Sequence, residues 1–113
     1  MSQYIDILTL TVTAAGPIAA NRFVTAAGAQ GTADAHVLGV ARSAANAGEA
    51  VPVIALGTAV VEAGGAIAAG DPISCDADGR AVPTDGDTYS VTVARALADA
   101  GPGQPVEVFL VPN

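Results

Sequence analysis

The sequence predicts an all-β fold, a small barrel or sandwich of short strands, and three observations carry that prediction. Tyr4–Thr13, YIDILTLTVT, alternates with period two, placing Leu8, Leu10 and Val12 on one face and Thr9, Thr11 and Thr13 on the other. Roughly eight strand-like runs fall within 113 residues at short, turn-marked spacing. Val60–Pro83 packs Gly64-Gly65, Gly70-Asp71-Pro72 and Asp78-Gly79 into two dozen residues, which leaves no room for an ordinary helix.

Each element follows from its own residues. Tyr4–Thr13 is expected as a half-buried strand with its leucine face inward. A turn at Gly16-Pro17 leads to a second strand, Arg22–Ala26, and Gly28–Asp34 is a small-residue polar loop. His36–Arg42 is the third strand. Ser43–Gly48, SAANAG, is too short for a stable helix and is expected as a loop or a single 3₁₀ turn. Ala50–Leu56 and Thr58–Ala63 are two further strands, with Gly57 marking a bulge or bend between them. Ile73–Cys75 and Arg80–Val82 pair across an Asp-Gly hairpin turn. Thr88–Ala96 and Pro105–Val111 close the list, the latter with Val106, Val108 and Leu110 on one face and Glu107 on the other.

The chain also echoes itself. Val40–Val53, VARSAANAGEAVPV, aligns without gaps on Val93–Val106, VARALADAGPGQPV, with eight of fourteen positions identical. Two copies do not make a solenoid. They predict two similar hairpin-like connections at pseudo-symmetric places in one barrel, with Arg42 and Arg95 in a shared structural role.

At 113 residues the chain is expected to form a single domain (residues 1–113), able to bury about 65 % of its unfolded surface. Its apolar half is mostly Ala and Val, and Tyr4, Phe23, Tyr89 and Phe109 are the only aromatics. A core of small side chains is thin, so contacts between copies are expected to add stability. Eleven carboxylates stand against four arginines, for a net charge of −7, which disfavours a nucleic-acid partner. With no Lys there is no Schiff base, no phosphate-loop lysine, and no biotinyl or lipoyl attachment site. A single Cys excludes an internal disulfide. The N-terminus lacks a basic region, and its apolar run is far below the ~20 residues of a membrane span, so a soluble chain without a standard export signal is expected.

Candidate chemistry is sparse. A Cys–His nucleophile would have to be Cys75 and His36, the only two of their kind. Cys75 alternates with Ile73 inside a strand, as a small buried hydrophobe does. Asp76-Ala77-Asp78-Gly79 begins like a calcium loop, but glycine stands fourth and Asp87 sits where a glutamate is needed. The hairpin turn is the better account. The expectation is therefore of no enzyme, no cofactor and no metal, with arginines that pair with neighbouring carboxylates.

One ordered series goes further: Gly39-Val40-Ala41, Ala47-Gly48-Glu49 with Val51 and Val53, Gly57 and Val60, then AIAAGDPI at Ala66–Ile73 and DADGRAV at Asp76–Val82. Over about Leu38–Val111 this resembles the capsid cement, or head decoration, proteins of tailed bacteriophages. The resemblance implies a barrel or β-tulip-like fold bound to the outer surface of a virion capsid, with the major capsid protein as partner, usually as a homotrimer. It transfers no functional residue. Gly57, Gly70, Asp71, Pro72, Asp78 and Gly79 are expected as structural turns. Residues 1–13 are expected as a capsid-contacting strand or arm, with Tyr4, Ile5, Ile7 and Leu8 in contact by strand addition. The alternatives are a β-clip-like ligand-binding or enzyme-accessory module and a head-fibre or tail adaptor.

Overall fold

The computed structural model describes residues 5–111 and 113. Its strands are β1 (Ile5–Thr13), β2 (Phe23–Val24), β3 (Gly39–Ala41), β4 (Ala50–Glu62), β5 (Pro72–Cys75), β6 (Ala81–Pro83), β7 (Ala94–Ala96) and β8 (Pro105–Leu110). All pair antiparallel in one sheet of order β2-β3-β4-β8-β7-β5-β6, and β1 lies along β4. The two ends of that order meet, which gives the expected barrel-like all-β fold. Phe23 donates its N–H to the Gly79 carbonyl at 2.8 Å, Asp34 donates to Cys75 at 2.8 Å, and Ala63 bridges Ala81 in parallel.

The two strands expected around Gly57 are one thirteen-residue strand. Gly57 holds φ at 102°, a value that strains any residue with a Cβ, and the register against β1 shifts on either side of Leu8. The bulge inverts the alternation of β4. Before it, Val51 and Val53 face one apolar cluster; beyond it, Ala59 and Val61 join Ile54 in another. Thr88–Ala96 shortens to Ala94–Ala96, because the Asp34 carboxylate accepts the Ser90 and Val91 N–H groups that a ladder would use, each at 2.8 Å. His36–Arg42 shortens to three residues and Arg22–Ala26 to two. Ser43–Gly48 is a loop, organised by an isolated bridge from Ala45 to Ile18 and closed by the Glu49 N–H on the Asn46 carbonyl at 3.1 Å.

The molecule is built twice from one pattern. Pairing of β1 with β4, Thr9↔Ile54 through Thr13↔Ala50, recurs as Thr58↔Phe109 through Glu62↔Pro105 between β4 and β8. Val40↔Ile54 and Ala41↔Val53 recur as Arg95↔Phe109 and Ala96↔Val108. Phe23↔Val40 recurs as Pro72↔Arg95. Loop bonds repeat as well: Ile18 N–H to the Ala45 carbonyl (2.8 Å) matches Ile67 to Ala100 (2.8 Å), and Ala14 to Glu49 (2.8 Å) matches Ala63 to Gln104 (2.8 Å). The first unit ends in the N-terminal half of β4, and the second begins in its C-terminal half. The sequence echo points at this duplication but is out of register by two residues. Gly48 (φ 86°) corresponds to Gly103 (φ 80°), where the gapless alignment sets it against Gly101. Arg42 consequently matches Leu97, and Arg95 matches Val40, so the two arginines do not share a role.

The cores follow the same arrangement. Ala14, Ile18, Val24, Val51 and Val53 fill the first unit. Their counterparts Ala63, Ile67, Ile73, Val106 and Val108 fill the second, in a cluster that also takes Phe23, Val37, Val40 and Ile54 from the outer face of the first. The first unit is thus packed onto the second.

Candidate functional site

No chemistry assembles around the residues that invited it. Cys75 is fully buried, and its thiol is pushed up to about 12, first by burial and then by the neighbouring Asp76 charge. His36 is exposed. Asp76 is buried and its oxygens are occupied: Oδ1 accepts the Asp78 and Arg80 N–H groups, each at 2.8 Å, and Oδ2 accepts Arg80 Nε at 3.1 Å. That is the hydrogen-bonding pattern of a turn, not a vacant ligand set. Arg22 and Arg80 meet on Glu62, at 3.2 and 3.8 Å, and Arg22 also donates to the Asp78 carbonyl at 2.9 Å. This network ties β4 to the 76–80 turn where the barrel closes. Arg95 donates to the Gly70 carbonyl at 2.8 Å.

The six turn residues occupy three places. Gly57 sits within β4 at the bulge. Gly70 (φ 91°) turns the chain, Asp71 accepts the Ala68 N–H at 2.9 Å, and Pro72 opens β5. Asp78 and Gly79 (φ 76°) form the β5–β6 turn. Asn21 (φ 61°) is the counterpart of Gly70, one of the few non-glycine types that accepts this conformation readily.

Tyr4 lies outside the described residues. Ile5 and Ile7 belong to β1, where Ile5 pairs with Thr58. Leu8 is 41 % exposed and Leu10 is exposed beside it, which corrects the expectation of an inward leucine face. Both border a groove of about 250 Å³ lined further by Leu38, Ala55, Leu56 and Val111. Among the described residues β1 pairs with β4 alone, so its other edge is unpaired.

A second surface is absent from the sequence-level candidates. On the outer face of β4, β8 and β7, Phe109 stands between Thr58 and Arg95, and Glu107 beside Val60. Leu97 donates its N–H to the Glu107 carbonyl at 2.9 Å. Phe109 is 47 % exposed and Leu97 is exposed too, whereas Glu107 between them is only 8 % exposed and its Oε1 has no hydrogen-bond partner. The available signal was parity: Phe109 alternates with the core residues Val108 and Leu110, and so shares the face of Glu107.

A family model described as phage cement protein matches residues 1–111. The structure is similar to that of the head fiber gp8.5 N base in bacteriophage phi29, with a TM-score of 0.76, 26 % identity, and coverage of 92 % of this chain and 93 % of that one. No curated protein matches.

Proposed function

The chain belongs to the phage cement protein family, a structural family whose role is to stabilise the capsid, and we propose that it acts from the outer surface of the head, as a homotrimer seated on the major capsid protein. The observation that carries this reading is β1: an edge strand with one side unpaired and Leu8 and Leu10 exposed along a groove. An unpaired edge is a template for strand addition, with main-chain bonds giving affinity and alternate side chains giving specificity. Ile5, Ile7 and Leu8, with Tyr4 ahead of them, are the proposed contacts. Bound subunits spanning neighbouring capsomers stabilise the assembled state by mass action, by about 2.7 kcal/mol per site at a hundredfold excess over Kd. Non-enzymatic action accords with the buried, protonated thiol and the occupied Asp76 carboxylate. The ligand-binding alternative is not favoured by the family or by the head-fibre likeness.

Co-sedimentation with undecorated phage heads tests the reading. The intact chain is expected in the pellet at saturable stoichiometry, and a chain lacking residues 1–8 in the supernatant. Full occupancy by the truncated chain would sink the β1 contact. Light scattering at high concentration, and on the decorated shell, tests the trimer separately.

A further inference from the structure

The outer face of the second unit repeats the face that the first unit uses as an interface. Ile54 and Val40 are fully buried in the cluster shared between the units. Their counterparts are Phe109 and Arg95, both left exposed, Phe109 to 47 %. At the position matching Pro52 stands Glu107, hemmed by Val60 on one side and Leu97 on the other, with one carboxylate oxygen unpartnered. A carboxyl oxygen stripped of water and left without a hydrogen-bond partner is unfavourable in the free protein. It becomes favourable when a cation meets it.

Among the described residues no cation meets it. The chain has no Lys, and its arginines are committed: Arg22 and Arg80 to Glu62 and Asp76, Arg95 to the Gly70 carbonyl, and Arg42 to a contact of its own. A second copy would bring to this face another −7 of net charge and the same committed arginines. A partner of opposite charge fits better. We propose that the β4–β8–β7 outer face is a docking surface for the shell protein, with Glu107 receiving an arginine or lysine side chain that Leu97 and Phe109 flank. Arginine suits it best, because its guanidinium can lie on the exposed Phe109 ring while its N–H groups reach the carboxylate. This surface adjoins the start of β1 through the row Ile5–Thr58–Phe109–Arg95. The inference rests on the capsid-binding reading and deepens it by naming a contact face and its chemistry.

The test titrates undecorated phage heads with wild type, Glu107→Gln and Phe109→Ser at low and moderate salt, and follows the thermal unfolding of each free protein. Glu107→Gln is expected to bind at least about tenfold more weakly, with a shallower salt dependence. Its free form should melt at or above the wild-type temperature, because no fold-stabilising partner of the Glu107 Oε1 is lost. A purely structural glutamate would give the opposite pairing. Phe109→Ser, at an exposed site, should weaken binding without lowering the melting temperature. Wild-type binding with both variants titrating like it overturns this inference alone. Wild type left in the supernatant overturns the capsid reading, and this inference with it. Self-association of wild type that Phe109→Ser abolishes, with shell binding intact, assigns the face to a second copy and also overturns it.

Discussion

Among single residues, the buried thiol and one half-exposed carboxylate give the sharpest expectations. With its thiol held near 12, Cys75 is a poor nucleophile at neutral pH, and burial denies access besides. Thiol reagents should label the native protein only as fast as it opens, and immediate stoichiometric labelling at pH 7.5 would contradict the placement. Asp34 fastens the 88–93 segment, accepting the Val91 and Ser90 N–H groups and the Ser90 hydroxyl at 3.0 Å. The Val91 N–H, first among these donors, holds the Asp34 carboxyl below its ordinary 3.8. Asp85 is lowered similarly by the N–H groups of Tyr89 and Asp87. A depressed folded-state pKa means that the contribution is complete above the unfolded value and is lost as pH falls through the folded one. Asp34→Ala should therefore lower the melting temperature at pH 7 and flatten its decline below about pH 4. An unchanged acid limb would show that this carboxylate does not couple to folding.

For the elements, the sequence located most strands and misjudged their extents wherever a tertiary contact decided them. β8 and β5 lie within a residue of expectation, since alternation and bounding prolines are local signals. β7 is shorter because the group that captures its N-terminal neighbours, Asp34, is 56 residues away from Ser90, beyond any window of periodicity. β1 alternates as a half-buried strand should, yet shows its leucines to solvent; a pattern records that a face is apolar and not which molecule covers it. Gly57 was legible as an irregularity but not as the switch that lets β4 serve two cores. Gly57→Val should destabilise by about 1–3 kcal/mol through backbone strain, read from the urea midpoint at unchanged slope. A variant within about 0.5 kcal/mol of wild type would mean that the bulge relaxes without it.

Across the whole molecule, the duplication explains why two chemically similar positions carry opposite duties. The echo between Val40–Val53 and Val93–Val106 was visible, but low-complexity Ala, Gly and Val matched best two residues out of register. A second signal lies in the sequence: Gly16-Pro17-Ile18-Ala19-Ala20-Asn21 matches Gly65-Ala66-Ile67-Ala68-Ala69-Gly70, and both segments make the same turn before β2 and β5. Ile54 and Phe109 occupy the same place in their units, one sealed between units and the other open. Ile54→Ala should cost about 2–5 kcal/mol, as large-to-small changes in cores do, while Phe109→Ala should stay within about 0.5 kcal/mol. Urea unfolding of the two variants decides between this tandem arrangement and a symmetric one. In a barrel with true two-fold internal symmetry both side chains would line one interior and their losses would match. Unequal losses, with the missing Phe109 felt only when the shell is added, place the folding interface on the first unit and a binding interface, next to that of β1, on the second.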